Sequence, residues 1–406
     1  MMRKLYILAF LSVMFGTIDN ANAQCPSGRY LYDPLFPTYT MVTDTYSTAN
    51  STTLLMDIYQ PIGDTLAARP LIILAHGGSF VGGSRNSDVT VDSLCVHFAK
   101  RGYVCASIDY RLGNMLSMFT DSSNAIDEVI KAISDGKAAI RYFVKDRATV
   151  NNYKIDTNNI FIGGNSAGAV LYMHVGYIDS TGECPADIQT AMAANGGFEG
   201  NSGNAGYTTK SKAIINLAGA LNHVSFVSPG NKPSVNAQGD ADSTVPYNCA
   251  LPYIAVGYIH VTLCGLGQLE PQYNALSIPH MSHVFPGQGH VPWSTDASMF
   301  VTVDSMVQLF LYNLMCSTVS VNTVSNVPEI SLFPVPANEV VNMVSSYAVS
   351  ELAMYDEVGR GVFNVQGIDA ERYEINTSHF AKGVYFIRLR FKDGNIAPVL
   401  RRIVVN

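Results

Sequence analysis

One short stretch narrows the possible folds more than any other: Phe-Ile-Gly-Gly-Asn-Ser-Ala-Gly, residues 161–168. The apolar run Ile160 to Gly164 reads as a strand, and Ala167 to Ile178 reads as a helix. A strand that passes into a helix through Gly-x-Ser-x-Gly places a hydroxyl at the apex of a turn with little room beside its flanking glycines. The helix N-terminus beneath that hydroxyl favours developing negative charge. The motif alone arises often by chance. Its place between strand and helix makes Ser166 a candidate nucleophile rather than a loop serine.

The same alternation extends on both sides of the motif. Leu71 to Ala75, Tyr103 to Asp109, Ala213 to Leu217 and Pro233 to Gln238 read as short buried strands. Ser87 to Arg101, Ala125 to Val144 and Asp296 to Leu314 carry apolar residues at helical spacing. Short apolar strands separated by helices predict an α/β fold, with a mainly parallel sheet and helices on both faces. Residues 179–211, rich in Gly, Asn, Ser and Thr, interrupt the pattern and read either as a border to a site or as a plain surface insertion. Near Ser317 the pattern changes: a polar, β-branched linker over 317–327 leads into strands alone, at 329–334, 340–345, 351–356, 361–366, 383–391 and 397–405. Residues 328–406 are therefore expected to form a small all-β sandwich.

The chain has 406 residues and a net charge of −7 with no basic run, which speaks against a nucleic-acid partner. Arg3 and Lys4, the apolar stretch Leu5 to Gly16 and the small residues Ala21-Asn22-Ala23 have the form of an export signal over 1–23, leaving a first domain over 24–316. No later segment reads as membrane-spanning. Export places the seven cysteines where disulfides persist, and the odd number leaves at least one thiol unpaired in a monomer. Which of them pair is not readable, and no spacing points to a structural metal.

A serine nucleophile needs a base for its proton and donors for the oxyanion. His76-Gly77-Gly78-Ser79-Phe80 directly follows the 71–75 strand, and its glycines let backbone amides approach a carbonyl. Gly77 and Gly78 are expected to supply donors beside the amide of Ala167, with His76 orienting the loop. His290, between the strand ending at Phe285 and the last helix, is the expected base; His280 and His283 are its rivals. Asp240 and Asp242 both follow the 233–238 strand, and Asp242 has the better spacing. Ser79, Phe80 and Trp293 are candidate substrate contacts, with a packing role equally open to Trp293. No metal or organic cofactor is required by this set.

These motifs, together with Ser107-Ile-Asp-Tyr-Arg-Leu112, resemble the α/β-hydrolase superfamily over about 50–316. They look most like secreted carboxylesterases of the hormone-sensitive-lipase-like and feruloyl or acetyl-xylan esterase kinds. The resemblance implies a triad of Ser166, Asp242 and His290, with oxyanion donors at Gly77, Gly78 and Ala167. Two departures are Ser79, where many relatives have a third glycine, and Ala169, where a glycine is common. Ile330-Ser-Leu-Phe-Pro-Val-Pro-Ala-Asn338, Leu352 to Arg360, Gly383 to Arg388 and Arg402 to Val405 resemble the type A sorting domain of the type IX secretion system. That implies passage through the periplasm and outer membrane of a Gram-negative cell, to the medium or the cell surface. The expected activity is hydrolysis of carboxylic esters, such as acyl groups on polysaccharides or polyesters. A prolyl-oligopeptidase-type serine peptidase and a catalytically inactive binding protein are the alternatives.

Overall fold

The computed structural model describes residue 25 and residues 29–30, 34–49, 51–254, 257–316, 330–356, 360–393 and 398–406. The anticipated leader and linker lie outside these, as do 357–359 and 394 of the anticipated turns.

Eight strands form the main sheet: β1 (Tyr39–Ala49), β2 (Thr52–Pro61), β3 (Arg69–Ala75), β4 (Val104–Ile108), β5 (Ile155–Asn165), β6 (Ala213–Leu217), β7 (Ser234–Gly239) and β8 (His280–Phe285). Their order is β1-β2-β4-β3-β5-β6-β7-β8. β1 and β2 are antiparallel to their neighbours, and every pairing from β4 to β8 is parallel. Alternation along β3 shows why its run is continuously apolar. Leu71, Ile73 and Ala75 enter the core on one face, while Ile72 and Leu74 enter the core on the other.

Helices α1 (Val89–Lys100) and α7 (Ala297–Cys316) cover the second face. The first is covered by α2 (Met115–Thr120), α3 (Ser122–Ala148), α4 (Ala167–Tyr177), α5 (Ala186–Ala194) and α6 (Leu266–Ala275). Asp88 and Asp121 start α1 and α3 by accepting backbone N–H groups of the first turn. By length and composition alone α7 is apolar enough to cross a membrane, a test that a core helix also passes. Its packing gives the reason for that composition. Val303, Val307 and Leu311 are buried in the core, and buried Asp304 pairs with both terminal nitrogens of Arg101 at 2.8 and 2.6 Å.

The 179–211 segment is held down by buried polar contacts. Ser202 Oγ donates to Asp135 Oδ1 at 2.5 Å and accepts from Arg111 Nη2 at 2.8 Å. Lys137 donates to the Phe198 carbonyl, and burial lowers its pKa to about 8. Two disulfides form, Cys25–Cys316 and Cys249–Cys264, while Cys95, Cys105 and Cys184 are free and buried.

The last five strands are β9 (Ile330–Phe333), β10 (Val340–Asp356), β11 (Gly361–Asn376), β12 (Gly383–Phe391) and β13 (Val399–Val405). They pair as one antiparallel sheet around a core of its own. The predicted strands 340–345 and 351–356 are a single strand, β10, with register shifts between Val344 and Glu351. Its first half pairs with β9 and its second with β12, so the two layers are continuous.

Candidate active site

The sheet delivers the candidate residues at the C-terminal ends of β3, β5, β7 and β8, the edge at which open α/β sheets bind ligands. β5 ends at Asn165 and α4 begins at Ala167, leaving Ser166 alone in the turn. Its backbone adopts φ 55° and ψ −120°, a strained conformation for a residue with a side chain. The turn is held by the Ser166 amide, which donates to the Leu217 carbonyl at 2.8 Å. A Cβ on Gly168 would lie 2.0 Å from the Ala75 carbonyl oxygen, so β3 and α4 can touch only where that position lacks a side chain.

β7 ends in Gly239, and the loop after β8 crosses directly over it. Asp240 is exposed and accepts the Gly287 amide at 2.6 Å, tying the two loops together. Asp242 turns inward. Its Oδ1 accepts the amides of Thr244 and Val245 at 2.9 and 3.0 Å, and its Oδ2 lies 2.7 Å from His290 Nδ1. His290 Nε2 lies 2.7 Å from Ser166 Oγ. The rivals lie elsewhere: His280 Nδ1 is 2.9 Å from the Ile278 carbonyl, and His283 packs edge-on against Phe285.

The loop after β3 departs from expectation at one glycine. The Gly77 amide donates to Asp88 Oδ2 at 2.9 Å, so it is not free to face an oxyanion. Among the described residues the Gly78 and Ala167 amides have no backbone or side-chain acceptor, and Ser79 follows with φ 55°. His76 stacks on Tyr110 at 4.3 Å, and burial lowers its pKa below the usual imidazole range. Ser79 and Phe80 line a cavity that also touches Ser166. Trp293 does not: it is buried in the opposite core, packs on Phe285 and donates Nε1–H to Asn165 Oδ1 at 3.2 Å.

Asp88 is the residue that sequence reasoning missed. One carboxylate caps α1, holds the Gly77 amide and accepts Asn165 Nδ2 at 3.0 Å. It thereby links the β3 loop to the turn that carries Ser166. The available signal was an acidic residue at the predicted start of the helix.

Comparison with known proteins agrees with this architecture. The BD-FAE family profile matches residues 56–222, and that of the secretion system C-terminal sorting domain matches 331–406. No curated protein matches the chain. Among solved structures, the apo form of Thermogutta terrifontis esterase 2 is 18% identical, with a TM-score of 0.51 over 71% of this chain and 100% of that one. The same esterase phosphorylated by paraoxon gives 18%, a TM-score of 0.50 and coverage of 70% and 97%. The fold and both profiles together give this chain an esterase-like α/β-hydrolase fold followed by a C-terminal secretion sorting domain.

Proposed function

We propose that residues 24–316 form an exported serine esterase, with residues 1–23 removed as a leader. The linker 317–327 and residues 328–406 then serve secretion. Ser166 attacks the ester carbonyl, and its proton passes to His290 Nε2 as the Oγ–C bond forms. Asp242 fixes the tautomer of His290 and stabilises its cation. The amides of Gly78 and Ala167 bind the oxyanion. The alcohol leaves with the proton from His290, and water then cleaves the acyl-enzyme by the same route to release the acid. Acyl groups on polysaccharides or polyesters suit an exported enzyme, and the sorting domain directs the chain to the secretion machinery and so to the medium or cell surface.

The observation that carries this reading is the unbroken relay from Asp242 through His290 to Ser166, with both contacts at 2.7 Å. A fluorophosphonate probe is the direct test, in keeping with the phosphorylated state of the Thermogutta esterase. It should label Ser166, and Ser166→Ala should abolish labelling and lower kcat by about four to six orders of magnitude. An unlabelled Ser166 would favour an inactive scaffold. Preference for peptide anilides over nitrophenyl esters would favour a peptidase.

A further inference from the structure

The cavity beside Ser166 has a defined shape, and the reading above leaves it unused. On α4 it is lined by Ala167, Val170 and His174, one helix face at successive turns, and just past the helix end by Ile178. Ile126, Ile130 and Ile133 of α3 face them. The third wall is Pro252, Ile254, Ile259, Val261 and Leu263, all within the loop closed by Cys249–Cys264. Ile188 of α5 joins Ile178 in lining the cavity, so the 179–211 segment does border the site.

From Ser166 to His174 the helix advances about 12 Å. An extended alkyl chain of about eight to ten carbons covers that length. Among the described residues no Asp, Glu, Lys or Arg lines the cavity. Away from the mouth its polar side chains are His174 and Asn222, and these are engaged. His174 Nδ1 bonds the Val170 carbonyl at 2.7 Å, and Nε2 accepts the Asn222 amide at 3.2 Å. Asn222 Nδ2 donates to the Thr262 carbonyl at 2.9 Å. With both ring nitrogens of His174 engaged, a ring bearing hydroxyl or methoxy groups would lose more hydrogen bonds to water there than the side chains of Asn222 and Thr244 could return.

We propose that this channel is the acyl site and selects an unbranched aliphatic acyl chain of about eight to ten carbons, with the disulfide-tied loop as its outer wall. The proposal rests on Ser166 being the nucleophile. The alcohol part of the ester then lies outside the channel, which leaves polymer-bound esters acceptable.

The test is the kcat/KM of the purified full chain on p-nitrophenyl esters from acetyl to palmitoyl. Each methylene buried should raise it about three- to fourfold. Octanoyl should exceed acetyl by at least about a hundredfold, and the value should fall beyond about twelve carbons. Val170→Phe, which fills the channel a turn from Ser166, should lower the octanoyl-to-acetyl ratio at least about tenfold. Ile259→Phe tests the same point should Val170→Phe not fold. Replacing Cys249 and Cys264 together by serine should lower the ratio as well. Acetyl hydrolysed as fast as octanoyl, or a ratio indifferent to a folded channel-filling variant, overturns the acyl-site proposal while leaving the esterase intact. Failure to cleave any ester, with Ser166 unlabelled, overturns the esterase reading itself.

Discussion

Asp88→Asn separates two roles that a single carboxylate performs. Asparagine keeps one side-chain oxygen for the amides of Thr90 and Val91, now at 3.0 and 3.3 Å, and caps helices about as well as aspartate. Its NH₂ then faces the Gly77 amide and Asn165 Nδ2, so a donor meets two donors where an acceptor stood. A hydrogen bond to a charged group is worth about 1.5–3 kcal/mol, and the Gly77 amide loses one. If about 2 kcal/mol of that loss appears as misplacement of the adjacent Gly78 amide in the transition state, kcat falls about thirtyfold. KM should stay within about twofold, because the acyl channel is untouched. The assay is steady-state hydrolysis of p-nitrophenyl esters beside urea unfolding of the same samples. Asp88→Ala should show the same kcat loss plus about 1 kcal/mol of stability for the missing cap. A wild-type kcat in folded Asp88→Asn would refute the argument and reduce Asp88 to a helix cap.

Two further outcomes follow from buried charge. Burial alone would raise the pKa of Asp304, but Arg101, by its charge and hydrogen bonds, more than offsets this and holds it below the usual carboxylate range. Asp304→Asn, which removes the buried carboxylate charge facing the Arg101 guanidinium, should cost about 3–5 kcal/mol in urea unfolding at pH 7. Burial lowers His174 to about 4, so the unfolded chain binds a proton there that the folded chain refuses between the ordinary histidine range and pH 4. That stability is full above about pH 6.5 and falls by about 3 kcal/mol on acidification to pH 4. His174→Leu should flatten this part of the unfolding-versus-pH curve, and an unchanged slope would assign the loss to other groups.

The parallel strands were legible because strands covered on both faces must be apolar throughout, as in β3 and β6. β1 was not, since it is an edge strand with Met41 and Val42 exposed and polar residues interleaved. Neither was α6, whose Gly267 and Pro271 read as breaks in a helix. The long strand β10 read as two because its register shifts interrupt the alternation. Ser166, Asp242 and His290 were readable as candidates because each follows a strand end, and strand ends are visible locally. The fate of the Gly77 amide was not, because its acceptor lies eleven residues on and arrives only when α1 packs. Trp293 stayed open between pocket and packing for a similar reason: three residues from His290, it turns the other way, into the core. Disulfide partners 291 residues apart leave no local trace at all.

That long-range bridge has a mechanical consequence. Cys25 and Cys316 make the hydrolase a covalent ring, and the chain beyond residue 316 is not part of that ring. Tension applied through the sorting domain reaches the ring at the bridged residue, so it drags the enzyme bodily rather than peeling α7 from the sheet. A nick anywhere between the two sulfurs would leave both fragments tethered.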